Sequence, residues 1–217
     1  MAGTLSRFDS SASRTVLSSF GALAAAGLGR SFDLYKDSEC LVAICGSVRF
    51  PDPALASSAR HHGLAATLAH LYSSKGRKAV AELSGSFALA ILDGREALLA
   101  TDRMGVHPVF YHAVNGTLVF GSTIDAITAF PNISPDVSCQ AIYNYIYFHM
   151  IPAPDTIYTE VRRLLPGECL RFSGGNVQTE QYWQMHYVEK NTRALPELKE
   201  QFFGILRASV QDHQPVG

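Results

Sequence analysis

Two dipeptides constrain this chain more than any other feature. Asp93-Gly94 separates the apolar runs 86–92 and 96–101, and Asn115-Gly116 separates 108–114 from 117–120. Both are two-residue hairpin signals, because Asp or Asn followed by Gly accepts the positive φ of a tight primed turn. Strands joined so closely must be antiparallel, since a parallel pair needs a crossover of a dozen or more residues. Gly174-Gly175, between 170–172 and 177–183, marks a third hairpin. A substantial antiparallel sheet is therefore expected.

Helical spacing appears between these strands. Leu64, Leu68, Leu71 and Tyr72 predict a helix over 62–72, stopped by Gly76. Ser122-Thr123-Ile124-Asp125 has capping-box form. Ser134-Pro135-Asp136 reads as N-cap, N1 proline and first-turn acid of a second helix, with Val137, Ile142, Tyr145 and Ile146 on one face. Pro196 opens a last helix whose stripe is Leu198, Phe202, Ile205, Leu206 and Val210. Residues 41–50 read as a strand whose apolar run is broken by Gly46, with Pro51 and Pro53 ending it. The first forty residues are small and serine-rich, with 15–17 and Phe20 able to supply a short strand. Residues 16–28 mimic the apolar region of a signal peptide, but Asp9 precedes them and serines and glycines dilute them. The sum is an α+β domain.

Composition narrows the function classes. The 217 residues are 47% hydrophobic and 17% charged, which excludes intrinsic disorder and supplies a sizeable core. A formal net charge of −1 offers nucleic acid no basic excess, so no nucleic-acid partner is expected. No apolar run reaches the roughly 18 residues of a membrane helix, and no membrane association is expected. Cys40, Cys45, Cys139 and Cys169 form no CxxC and read as small buried hydrophobes in a reducing compartment, so a cytoplasmic location is expected. His61, His62 and His70 lie on or near one predicted helix without a carboxylate between them. His107 and His112, five apart in one strand, would face opposite sides. No metal site is expected. Tyr143, Tyr145, Tyr147 and Phe148 wrap the predicted helix and read as packing residues.

Several segments, in order, carry a resemblance. They are Leu83-Ser84-Gly85-Ser86-Phe87-Ala88-Leu89-Ala90-Ile91-Leu92-Asp93, Ala100-Thr101-Asp102-Arg103-Met104-Gly105-Val106-His107-Pro108-Val109-Phe110-Tyr111, and Leu118-Val119-Phe120-Gly121-Ser122. Ile151-Pro152-Ala153-Pro154-Asp155-Thr156-Ile157-Tyr158, Leu164-Leu165-Pro166-Gly167-Glu168 and Gln181-Tyr182-Trp183 follow. Together they resemble the N-terminal glutaminase domain of asparagine synthetases, a class II glutamine amidotransferase. The resemblance implies an N-terminal-nucleophile fold, an αββα sandwich of antiparallel sheets with flanking helices. Within the Asp102-Arg103-Met104-Gly105 turn, Gly105 permits a bend, and the Asp–Arg pair could join two hairpins by a charge-assisted hydrogen bond.

The chemistry implied by that family is hydrolysis of the glutamine amide by an N-terminal cysteine whose free α-amine is the base. This chain starts Met1-Ala2-Gly3-Thr4, so removing Met1 would expose Ala2, not a thiol. Where the family carries asparagine-glycine-glutamate, this chain has Cys45-Gly46-Ser47. The asparagine amide is an oxyanion donor worth roughly 3–4 kcal/mol, and a thiol is a weak donor. Ser47 lacks the charge of the amine-binding glutamate. The family's amine-binding aspartate falls near Leu64. The arginine that clamps the glutamine carboxylate has no clear counterpart; Arg30 is a poor match. The resemblance thus implies a degenerate site, a pseudo-glutaminase with vestigial positions Ala2, Cys45, Gly46, Ser47 and Leu64 and no catalytic residue. Two alternatives stay open. One is a working amidotransferase, or a hydrolase processed to expose Thr4 or Ser6. The other is a stand-alone interaction module.

Residues 1–190 are expected to form the glutaminase-like domain. Residues 191–217 would be a linker helix and the start of an ATP-binding synthetase domain. No serine-glycine-rich pyrophosphate loop occurs in the chain, so no cofactor is expected here. ATP and Mg are implied for the synthetase half of an amide-forming ligase of the asparagine-biosynthesis type. The expected partner is that C-terminal domain, with a homodimer left open.

Overall fold

A computed structural model describes residues 12–27, 32–131, 133–187 and 193–212. They fall into two compact units, Met1–Gln184 and Met185–Gly217.

The first unit is built on a six-stranded antiparallel sheet. Its strands in chain order are β3 (Phe32–Lys36), β4 (Leu41–Arg49), β5 (Ser84–Leu92), β6 (Ala97–Thr101), β10 (Glu168–Ser173) and β11 (Asn176–Gln181). Their spatial order is β11-β10-β6-β5-β4-β3. A three-stranded antiparallel sheet orders β7 (Phe110–Val114), β8 (Thr117–Gly121) and β9 (Arg162–Arg163) as β8-β7-β9. A separate hairpin pairs β1 (Ala12–Ser18) with β2 (Gly21–Gly27). All three predicted hairpins form, with registers Leu92↔Ala97, Val114↔Thr117 and Ser173↔Asn176 nearest the turns.

Strand alternation creates three cores. On one face of the large sheet, Phe87, Leu89 and Ile91 of β5 pack with Leu68, Ala69 and Tyr72 of a helix. Their alternate neighbours Ala88, Ala90 and Leu92 point the other way, toward Leu23 of the β1–β2 hairpin, Val109 and Leu164. Residues 87–92 are all buried because β5 is covered on both faces. Beyond the small sheet, Val119 and Val161 pack against Ile127 of the short helix α3 (Ile124–Thr128). The layers run helix, sheet, sheet, helix, as the resemblance implied.

The helices depart from the sequence expectations in informative ways. The helix expected over 62–72 is two: α1 (Pro53–His62) and α2 (Leu64–Lys75), parted at Gly63, whose φ is 95°. Asp52 starts α1, its carboxylate accepting from the Ala54 and Leu55 amides, so Pro53 opens a helix as well as ending a strand. His61 and His62 therefore end α1, and His70 sits on α2. Gly63 offers α2 no side-chain cap; Asp33 of β3 supplies it, accepting from the Ala65 N–H at 2.9 Å. For α3 the cap is Thr123, accepting from Ala126 N–H, not Ser122.

The helix expected from Ser134 starts later, as α4 (Cys139–Phe148) capped by Ser138. Val137 is taken instead by a β-bridge to Tyr158, and the Ser138 N–H donates to Ile157 O. That extended pairing holds 134–137 out of the helix. The face of α4 is not buried: Ile146 and Tyr147 are each 69% exposed, and only Ala141 is buried. Strand β4 runs unbroken through Gly46 and stays paired with β5 throughout. Residues 12–27, part of which mimics a signal sequence, form the β1–β2 hairpin.

The second unit contains α5 (Leu195–Asp212), as expected from Pro196. Leu195, Phe202, Ile205, Leu206 and Val210 are exposed on it. No described helix is long and apolar enough to cross a membrane.

Candidate functional site

The positions matching the family's glutamine site begin on β4. Cys45 pairs with Phe32 on one side and Ala88 on the other, and its side chain faces the space between the two sheets. Burial pushes its thiol pKa up, against a smaller downward effect of a backbone hydrogen bond with Ala88. The thiol therefore stays protonated at neutral pH, a weak donor and not a nucleophile. Gly46 follows with φ 108°. The His107 ring fills the place of a side chain there, its Nε2 lying 2.8 Å from where a Cβ would sit. Ser47 is exposed and pairs with Ser86.

Leu64 is the first residue of α2 and packs on the helix-side core. The sheet thus places Cys45 and Leu64 on opposite faces and does not bring them together. Ala2, Thr4, Ser6 and Arg30 lie outside the described residues. Among the described residues, no group of three or more His, Cys, Asp and Glu side chains could hold a metal ion.

Cys45 opens onto a cavity of about 740 Å³ between the large sheet and the layer formed by the β1–β2 hairpin and the small sheet. The volume is that of a small-molecule site. Its floor is made of small side chains, because the cross-strand pairs Ala43↔Ala90 and Cys45↔Ala88 face it. Every described lining side chain is uncharged. A glutamine zwitterion would find no counter-charge among them for its ammonium or carboxylate.

The second set of singled-out residues forms a junction that holds the sandwich. Asp102 is 1% exposed. One of its carboxylate oxygens accepts from the amides of Met104 (2.9 Å) and Val106 (3.3 Å), the other from Phe87 (3.1 Å) and His107 (3.2 Å). The carboxylate thus ties β5 to its own turn by charge-assisted bonds. Its partner is the backbone; Arg103 instead lies over the Trp183 ring, 5.9 Å from the centroid. Gly105 abuts Pro166, and the Gly167 N–H donates to Asp102 O at 2.9 Å. The Tyr182 hydroxyl donates to Thr101 O at 2.7 Å. Three motif segments far apart in sequence therefore meet at one corner.

The four cysteines separate by environment. Burial raises Cys40 to about 11 and Cys169 to about 12. Cys139 alone is exposed. Treating the native chain with dithionitrobenzoate at pH 8 should release one fast equivalent of chromophore, lost in Cys139→Ser. Three more should appear only slowly or after denaturation.

Sequence comparison places the chain in a family. A glutamine amidotransferase domain family matches residues 55–183, and the chain belongs to it. Over 128 residues it is 33% identical to asparagine synthetase [glutamine-hydrolyzing] 3 of Bacillus subtilis (strain 168), covering 58% of this chain and 21% of that protein. Asparagine synthetase [glutamine-hydrolyzing] 1 of the same organism is 22% identical over 146 residues, covering 64% and 23%. The chain thus spans less than a quarter of the length of these relatives. Among solved structures, the glutamine phosphoribosylpyrophosphate amidotransferase of B. subtilis, complexed with ADP and GMP, is 15% identical. It covers 71% of this chain and 31% of its own, with a TM-score of 0.43.

The sequence reading missed the cavity, the role of His107 against Gly46, and the Asp33 cap. A faint signal existed for the first. Ala43, Cys45, Ala88 and Ala90 recur at period two, which puts small residues on one face of adjacent strands.

Proposed function

We propose that this chain is a degenerate glutaminase-like domain of an asparagine-synthetase-like, ATP-dependent amide-forming ligase, acting in the cytoplasm as a structural and interface domain. The observation that carries the reading is the cavity beside Cys45, whose described lining offers no charge to glutamine and a protonated thiol at the matching oxyanion position. A protonated thiol cannot replace the amide donor that stabilises a developing oxyanion. Ser47 and Leu64, at the matching amine-binding positions, carry no charge either.

The interface role rests on α4. Tyr143, Tyr145, Ile146, Tyr147 and Phe148 are all exposed, followed by Met150, with no Asp, Glu, Lys or Arg from 139 to 150. Exposed apolar surface of this kind marks a protein contact. The occupant we assign is the C-terminal synthetase domain of the parent ligase, where ATP and Mg would be bound.

The test is glutamate release from l-glutamine by the purified chain, followed by a coupled dehydrogenase assay. The expected rate equals that of buffer. Glutamate formed in proportion to protein, and lost on boiling it, would overturn the reading in favour of a working amidotransferase.

A further inference from the structure

The cavity between the sheets is not merely a glutamine site emptied of its polar groups. It is a cleft of about 740 Å³ that leaves the apolar side chains of two facing layers in contact with solvent and not with each other. The cleft opens to solvent, so water inside it lies mostly against apolar side chains and is released when an apolar body takes its place. The lining is suited to something else. Its floor is Ala43, Ala88 and Ala90; Phe32, Phe120 and Phe172 supply flat apolar walls. Its polar groups gather where the wall meets solvent, with Thr15, Thr117 and Ser122 all exposed.

We propose that this cavity binds an uncharged, predominantly apolar small molecule, its body against the alanine floor and any hydroxyl or carbonyl at the threonine–serine rim. No described lining side chain is charged, so neither an amino acid nor a phosphate-bearing ligand is matched. The inference does not depend on whether the chain hydrolyses glutamine. It depends on the space and on its chemistry.

The neutral probe N-phenyl-1-naphthylamine tests it with the full 217-residue chain. Fluorescence titration should show saturable binding of one probe per chain, with emission shifted to the blue. Ala90→Phe, which places a ring above the cavity floor, should weaken binding at least tenfold. Ile146→Ser, on the exposed face of α4, should leave it unchanged. Should Ala90→Phe fail to fold, alkylation of Cys45 in the wild-type chain keeps the question decidable. Bound probe should slow N-ethylmaleimide labelling of Cys45, read by peptide mass, and leave Cys139 labelling unaltered. Three results would overturn the proposal: no saturable binding, as when a segment of the chain fills the space; binding abolished by Ile146→Ser; or displacement of the probe by l-glutamine.

Discussion

Asp102→Ala should destabilise the first unit by about 4 kcal/mol or more, enough to lower its melting temperature by roughly 10 °C. The argument is a count of orphans. The carboxylate accepts from the amides of Phe87, Met104, Val106 and His107. Asp102 is almost fully buried and its bond from Phe87 is buried too, so water cannot reach that donor, while the part-buried amides of Met104, Val106 and His107 are relieved by water only in part. An unsatisfied buried donor costs about 1–3 kcal/mol, while whole domains are stable by only about 5–15. Asp102→Asn should fall between wild type and alanine, because its amide keeps one acceptor oxygen and turns an N–H₂ group toward the other pair of donors. Arg103→Ala should cost under about 1 kcal/mol, the scale of an exposed cation–π contact. Urea unfolding followed by far-ultraviolet dichroism ranks the three. If Arg103→Ala proved as damaging as Asp102→Ala, the junction would be held by the ion pair that the sequence suggested and not by the backbone amides.

That contrast marks what was legible in the sequence. The Asp-Gly, Asn-Gly and Gly-Gly turns were readable because their requirement is local. Asn115 and Gly116 take φ of 49° and 74°, which few other residues accept. With those turns came the antiparallel sheets, and with the β5 alternation came its two buried faces. Helix starts were less readable, because each stretch holds two competing caps. Ser138 prevails over Ser134 only through the Val137–Tyr158 bridge, a pairing twenty-one residues away by the numbering. Thr123 prevails over Ser122 because Gly121 still belongs to β8. At the site, Cys45 and Leu64 were marked by likeness to a family. Nothing local said that the sheet would separate their side chains. The cavity was hidden for the same reason: alanine in a strand reads as core filler until the register sets Ala43 beside Ala90.

Gly85→Ala should be the second most damaging change, and Gly46→Ala should resemble it. The two glycines sit on adjacent strands around the pair Ser47↔Ser86, with φ of 96° and 108°. A Cβ on Gly85 would lie 2.0 Å from Ser47 O, far inside van der Waals contact, and one on Gly46 would lie 2.2 Å from Ser86 O and 2.8 Å from the His107 ring. A strained φ alone costs an L-residue about 1–3 kcal/mol. The clash adds to it, because the obstacle is a backbone carbonyl fixed by the β4–β5 ladder and not a side chain free to turn. A loss of about 3 kcal/mol or more is expected for each, the sum of about 1–3 kcal/mol of strain and about 1–3 kcal/mol of overpacking. Gly116→Ala supplies the control. Its φ is 74°, but nothing lies within 4 Å of its added Cβ, so it should lose only the strain term. Thermal unfolding of the three variants separates strain from collision. Equal losses at 85 and 116 would show that β4 and β5 yield, and that their close approach is not what requires glycine. The expected inequality bears on the site directly. It makes Gly46 a demand of backbone packing and of the His107 ring seated on it, so its match to the family's asparagine-glycine-glutamate segment carries no implication that glutamine chemistry survives beside it.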